Sequence, residues 1–184
     1  MKNKFFQFFA VIISTFFLAD QYAHSGTRII LEAENASDIQ PPVVVIDAEN
    51  PQNAKAAKGA SGGKYIEIAQ GVGKPAEGGL PGNATLNFRI EKGGDYYIWA
   101  RCFWQDGCGN SFFMQIDEKP PFIFGQDSTY ETWHWIKAPK LLTPVKLTKG
   151  EHKITIRNRE DGIRIDQFVI TDNSRYIPVD IEEP

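Results

Sequence analysis

Cysteine, methionine and histidine are scarce in this chain: 184 residues hold two, two and three of them. Two sulfurs without a second pair of ligands cannot complete a tetrahedral zinc shell, and no Cys/His metal pattern appears. Charge of one sign is lacking too. Lys and Arg number 20 against 23 Asp and Glu, a formal charge of −3, and the bases are interleaved with acids throughout. A nucleic-acid partner would need a clustered basic face, so that class is excluded. No window of about 11 residues carries an apolar stripe at helical spacing. Asn53 to Lys58 is rich in alanine and lysine, but the glycines that follow stop any helix within a turn or two. No segment recurs at a fixed period, which removes propellers and solenoids. Long hydrophobic runs are missing except at the start, where Lys2 and Lys4 precede an apolar stretch from Phe5 to Leu18. That stretch is shorter than the ~20 residues of a membrane span and has the length of a secretory h-region. Small residues around Ala23-His24-Ser25 allow cleavage after Ser25 or after Ala23, and an uncleaved N-terminal anchor is the alternative. No cysteine follows the h-region, which argues against a lipid anchor. The expectation is a secreted protein, extracellular, periplasmic or at the cell surface, with no membrane span once residues 1–25 are removed.

What is present is a run of short strands. At 42% hydrophobic and 23% charged residues the chain is globular rather than disordered, and its length suits one domain. Arg28 to Glu34, Lys64 to Ile68, Leu86 to Ile90, Asp95 to Trp104, Ser111 to Ile116, Thr132 to Ile136, Val145 to Leu147, His152 to Asn158 and Ile163 to Ile170 read as strands. In Asp95 to Trp104, Tyr96, Ile98, Ala100 and Cys102 share one face, while Tyr97, Trp99, Arg101 and Phe103 share the other. Gly- and Pro-rich breakers lie between, at 59–63, 71–82, 93–94, 107–109 and 120–121. Many short strands with frequent turns and no long helix predict an all-β antiparallel sandwich of the jelly-roll kind over residues 26–172. Residues 173–184 are polar with two prolines and read as an extended C-terminal tail over the surface. In an oxidising compartment Cys102 and Cys108 could pair across a loop, which is the favoured reading; two buried free thiols are the other.

Three stretches narrow the fold. Leu31-Glu32-Ala33-Glu34-Asn35 precedes Ala60-Ser61-Gly62-Gly63-Lys64-Tyr65-Ile66. Trp99-Ala100-Arg101 leads through Asp106-Gly107-Cys108-Gly109-Asn110-Ser111-Phe112 to Ile116-Asp117. Thr132-Trp133-His134-Trp135 is followed by Leu147-x-x-Gly150-x-His152-x-Ile154-x-Ile156 and by Arg159-Glu160-x-Gly162-Ile163-x-Ile165-Asp166. In this order, across about Ile29 to Asp172, the chain resembles the carbohydrate-binding modules of families 6 and 35, which are galactose-binding-like jelly rolls. The resemblance implies a structural Ca²⁺ held by Glu32, Glu34 and Asp166. Its chemistry is sound, since calcium takes six to eight oxygens and residues two apart on a strand share a face. The other reading is a solvated strand face, with Asp166 paired to Arg164 or Arg28.

The same resemblance makes Tyr130 a sugar-stacking residue and puts Arg164 where the family commonly has an asparagine. Arg164 would suit an acidic glycan, because a guanidinium can bind a carboxylate through two bonds. Trp104, at the end of a strand entering a turn, is a second candidate platform, with Arg159 and Glu160 lining the neighbouring loop. Asn110 could bind ligand or hold its own turn. Trp133 and Trp99 read better as core. The function expected is non-catalytic recognition of a poly- or oligosaccharide through loop aromatics. The rival is a protein-interaction domain in a secreted or cell-surface complex, without sugar. A lyase or hydrolase lacks support, as only His134 and His152 remain after the leader and no Gln-x-His triplet occurs.

Overall fold

The computed structural model describes residues 26–50, 53, 57–73 and 81–183; the expected leader, residues 1–25, lies outside them. Twelve strands follow one another: β1 Arg28–Glu32, β2 Ser37–Gln40, β3 Val43–Asp47, β4 Lys64–Ile68, β5 Asn83–Ile90, β6 Gly94–Trp104, β7 Ser111–Ile116, β8 Phe122–Gly125, β9 His134–Lys137, β10 Val145–Leu147, β11 Gly150–Arg157 and β12 Ile163–Thr171. They form two antiparallel sheets, one ordered β10-β6-β12-β4-β3 with β1 also on β12 and β9 also on β6, the other ordered β2-β5-β11-β7-β8. This is the all-β sandwich expected. β12 is its central element, pairing with β6 along one edge and with β4 and then β1 along the other.

Period-two alternation builds the core. Ala84, Leu86, Phe88 and Ile90 of β5 point inward, as do Phe112, Met114 and Ile116 of β7 and Ile154 and Ile156 of β11. Opposite them lie Tyr96, Ile98, Ala100, Cys102 and Trp104 of β6. Each such side chain contributes roughly 1.5–3 kcal/mol by leaving water. β12 departs from simple alternation: Ile163 and Ile165 enter the core, and after one shifted residue Phe168 and Ile170 do. The register against β6 slips between Ile165 and Gln167, which makes Asp166 the extra residue of a β-bulge.

The outer face of β12 is covered as well. Ala48, Ala57, Ala60 and Tyr65 form a small second cluster, with Phe103 and Trp133 packed against it. The segment after β12 runs back over the same sheet. Gln167, fully buried, donates from Nε2 to Glu182 O (2.9 Å) and accepts from Glu182 N (3.0 Å). Arg28 pairs with the Glu182 carboxylate (3.2 Å) and donates to Glu183 O (3.1 Å), tying the end of the chain to the start of β1. Trp135 Nε1 donates to Asp180 O (2.8 Å), so this ring holds the tail rather than the core.

One expectation is overturned here. Cys102 and Cys108 are both free thiols, the first buried in the core and the second exposed in the loop after β6. The alternation that lines up Tyr96, Ile98, Ala100 and Cys102 turns Cys102 inward, away from that loop. Titration with an aromatic disulfide reagent will therefore modify one thiol per native chain and the second only after denaturation. Prior reduction will leave the thermal midpoint unchanged.

Candidate functional sites

Two side-chain assemblies bear chemistry, one on the outer face at the bulge and one in the loops beyond the β6 end of the sandwich. At the first, the bulge turns Asp166 outward beneath the loop that enters β4. Its Oδ1 accepts from Ser61 N (3.0 Å), and its Oδ2 pairs with Arg101, which also donates to Gly59 O (3.0 Å). Arg101 is thus the partner of Asp166, in place of the Arg164 or Arg28 considered from sequence. Glu32 Oε1 accepts from Ser61 Oγ (3.1 Å) and Gln167 Nε2 (2.7 Å). The second oxygens of Glu32 and Glu34 are buried without any hydrogen-bond partner. Burial, reinforced by the negative charges of Glu32 and Asp166, pushes the Glu34 carboxyl up to about 7. Burial raises Asp166 to about 6, against the hydrogen bond and charge of Arg101. Of the acids expected at this place, Glu32 and Asp166 are linked through Ser61, and the charges of both act on Glu34. Among the described residues no three His, Cys, Asp or Glu side chains close around a common point.

The second assembly joins the loops after β6, after β8 and before β12. Asp127 is its strut. Its carboxylate accepts from Trp104 Nε1 (3.1 Å), from Thr129 N (3.1 Å) and from the ring of His134 (3.0 Å), and its carbonyl accepts from Asn110 Nδ2 (2.8 Å). Gly125 closes this corner because a Cβ there would lie 2.3 Å from Asn110 O, at a φ of +104° that favours glycine. On the rim above, Tyr130 is 39% exposed. Its hydroxyl would be 3.2 Å from a Cβ at position 107, so the ring lies close against Gly107. Below Tyr130 runs a polar chain: Arg164 Nε donates to Glu67 (3.0 Å), Arg164 donates to Gln105 Oε1 (3.2 Å), and Gln105 Nε2 donates to Glu131 (3.3 Å).

Several expected site residues take other roles. Trp104 is 0% exposed and packs against Phe112 and His134, so it is core and not a platform. The inward parity that turns Cys102 into the core carries two residues further. Arg164 is 8% exposed and its charge faces Glu67, which leaves it unable to offer an open fork to a ligand carboxylate. Arg159 and Glu160 pair with each other, and Glu160 accepts from Asn110 N (3.2 Å) and Ser111 Oγ. They staple the loop before β12 to the start of β7. Asn110 does not hold its own turn, which Asp106 closes; its Nδ2 ties the loop to Asp127 O after β8. Tyr130 alone of these is open to a ligand ring, while Gln105, Glu131 and Asp127 were not anticipated. No sequence pattern singles out Asp127 as a strut, since Asn110 and Trp104, the partners that join it to the loop after β6, lie 17 and 23 residues before it.

No protein-family model matches the sequence. The chain is 24% identical over 147 residues to Uncharacterized protein P23 of Formosa agariphila, an alignment covering 66% of this chain and 35% of that protein. It thus spans about a third of the length of that relative. Among solved structures it superposes on the family 35 carbohydrate binding module from Clostridium thermocellum with a TM-score of 0.55 at 18% identity, covering 78% of this chain and 98% of that one. Its fold is that of a family 35 carbohydrate-binding module. The same fold lies within the Podospora anserina GH26-CBM35 β-(1,4)-mannanase, with a TM-score of 0.59, 16% identity, 84% of this chain and 30% of that one. It lies also within the exo-β-1,3-galactanase of Phanerochaete chrysosporium, with a TM-score of 0.55, 19% identity, 79% of this chain and 29% of that one.

The raised acids give the folded protein a pH dependence. A carboxyl whose folded pKa exceeds its unfolded one favours folding least when ionised, so its cost grows as pH climbs from about 4.5 to about 7 for Glu34. His152 adds to this slope. Burial opposes its charge, but hydrogen bonds to Asp117 (2.8 Å) and Thr148 O (2.9 Å) win and raise its pKa, so its contribution is lost on the alkaline side. In calcium-free buffer the thermal midpoint will fall between about pH 5 and about pH 7.5, and Glu34→Gln will flatten the fall. An unchanged slope in that variant would contradict the burial of an ionised Glu34.

Proposed function

We propose that this chain is a secreted, non-catalytic carbohydrate-binding domain that takes a sugar ring against Tyr130. Sugar recognition in water rests an apolar ring face on an aromatic side chain while polar groups bond the hydroxyls. The exposed Tyr130 beside Gly107, above the chain from Glu67 to Glu131, is the observation that carries this reading. The fold shared with carbohydrate-binding modules supports it. So do the roles of the remaining polar residues, which are bonded to one another in structural pairs. Secretion rests on the charged and apolar pattern of residues 1–25. In affinity electrophoresis through soluble polysaccharides the protein will be retarded. Tyr130→Ala will weaken retention about tenfold, equivalent to ~1.4 kcal/mol, with no change in thermal midpoint because the ring is exposed.

The domain also holds a structural Ca²⁺ in this reading. Glu32 and Glu34 would supply oxygens now buried without partners, Asp166 would share its carboxylate with Ser61 and Arg101, and backbone carbonyls would supply the rest. The cation would neutralise a cluster in which the charge of Glu32 raises the pKa of both Glu34 and Asp166. Calcium at a hundredfold excess over its Kd will stabilise chelated protein by about 2.7 kcal/mol. Joint Glu32→Gln and Glu34→Gln substitution will abolish that gain in a thermal melt.

A second reading, a protein-interaction domain, has one observation in its favour. A groove of about 430 Å³ lined by Ile116, Pro120, Pro121, Phe122, Leu142 and Val145 opens at the other end of the sandwich, with Leu141 98% exposed nearby. Absence of retardation on every glycan would favour it.

A further inference from the structure

Resting on the carbohydrate reading, we infer that the Tyr130 rim selects uncharged glycans and rejects uronate-bearing ones. The argument is one of donors and acceptors. A sugar hydroxyl both donates and accepts, whereas an ionised uronate carboxylate only accepts. Its recognition would need donors free on the rim. Among the described residues, three cations of the loops at this end are already engaged: Arg164 faces Glu67 and Gln105, Arg159 faces Glu160 and Ser111, and His134 faces Asp127 and Thr132 O. Four backbone amides of the neighbouring turns are taken as well. Those of Cys108 and Gly109 donate to Asp106, and those of Gly71 and Gly73 donate to Asp161.

What the rim offers instead is acceptors carrying charge. Glu67, Glu160 and Asp127 have cationic partners, but Asp106, Glu131 and Asp161 have none among the described residues. Glu131 is exposed and directly follows Tyr130 in sequence, and its only described side-chain contact is the Gln105 amide. A hydroxyl laid beside Tyr130 can donate to Glu131 and accept from Gln105, so a neutral hexose completes the polar chain. A carboxylate in that place meets the like charge of Glu131 within the Debye length of about 8 Å at physiological salt, and has only the neutral Gln105 amide to set against it. The arginine that suggested an acidic ligand from sequence is thus the one whose pairing removes it.

The test compares gels containing a neutral galactan or mannan with gels containing polygalacturonate, at equal calcium and at low and high salt. Retention by the neutral polymer about tenfold or more stronger than by polygalacturonate at low salt, with the gap narrowing in high salt and in Glu131→Gln, is expected. Polygalacturonate retained equally or better overturns the inference while leaving the carbohydrate reading intact. A gap insensitive to both salt and Glu131→Gln overturns it too, since the cause would then be shape. No retention on either polymer, with Tyr130→Ala indistinguishable from the parent protein, would overturn both readings.

Discussion

A single extra residue in the central strand governs much of this molecule. Without the bulge at Asp166, β12 would alternate strictly, and residues 163, 165, 167 and 169 would all face the core. With it, four apolar side chains still enter the core while Asp166 and Gln167 both reach the outer layer. The two polar groups then need partners away from water. Asp166 finds them in Arg101 and Ser61, and Gln167 in Glu32 and the backbone of Glu182. The entry loop to β4, the acidic segment after β1 and the chain's last residues are therefore all anchored on one irregularity. The partnerless oxygens of Glu32 and Glu34 are where that arrangement is left incomplete, and the proposed cation would complete it.

The opposite design rule operates at the loop end. There the hydrogen-bonding capacity is used up internally, through Asp127, Glu160 and Asp106, which makes three loops behave as one bonded unit. Rigidity of this kind lowers the ordering cost that a weak ligand must offset. It also confines recognition to the little that remains unbonded, namely one aromatic ring and a few acceptors.

The two-sheet fold was legible because alternation in β5, β6 and β11 is strict and the breakers between them are frequent. β3 and β8 were not. Val43-Val44-Val45-Ile46 is apolar without alternation after two prolines, and Phe122–Gly125 is four residues long between Pro120-Pro121 and a glycine. The acidic pair near β1 was legible as a motif, and Tyr130 through the resemblance around it. Trp104 was misread as a rim residue because it borders a turn, although its parity with Tyr96, Ile98 and Ala100 already turned it inward. Arg164 was misread for a different reason: its charge was visible in the sequence, and Glu67, directly opposite it on the neighbouring strand β4, was not.

The clasp between Arg28, Glu182 and Glu183 brings the first strand and the final residues together on the side where β1 begins, and that is the pole remote from Tyr130. A polymer resting on Tyr130 would therefore not meet the clasp, and the contacts that lock the first strand are out of reach of whatever the rim holds.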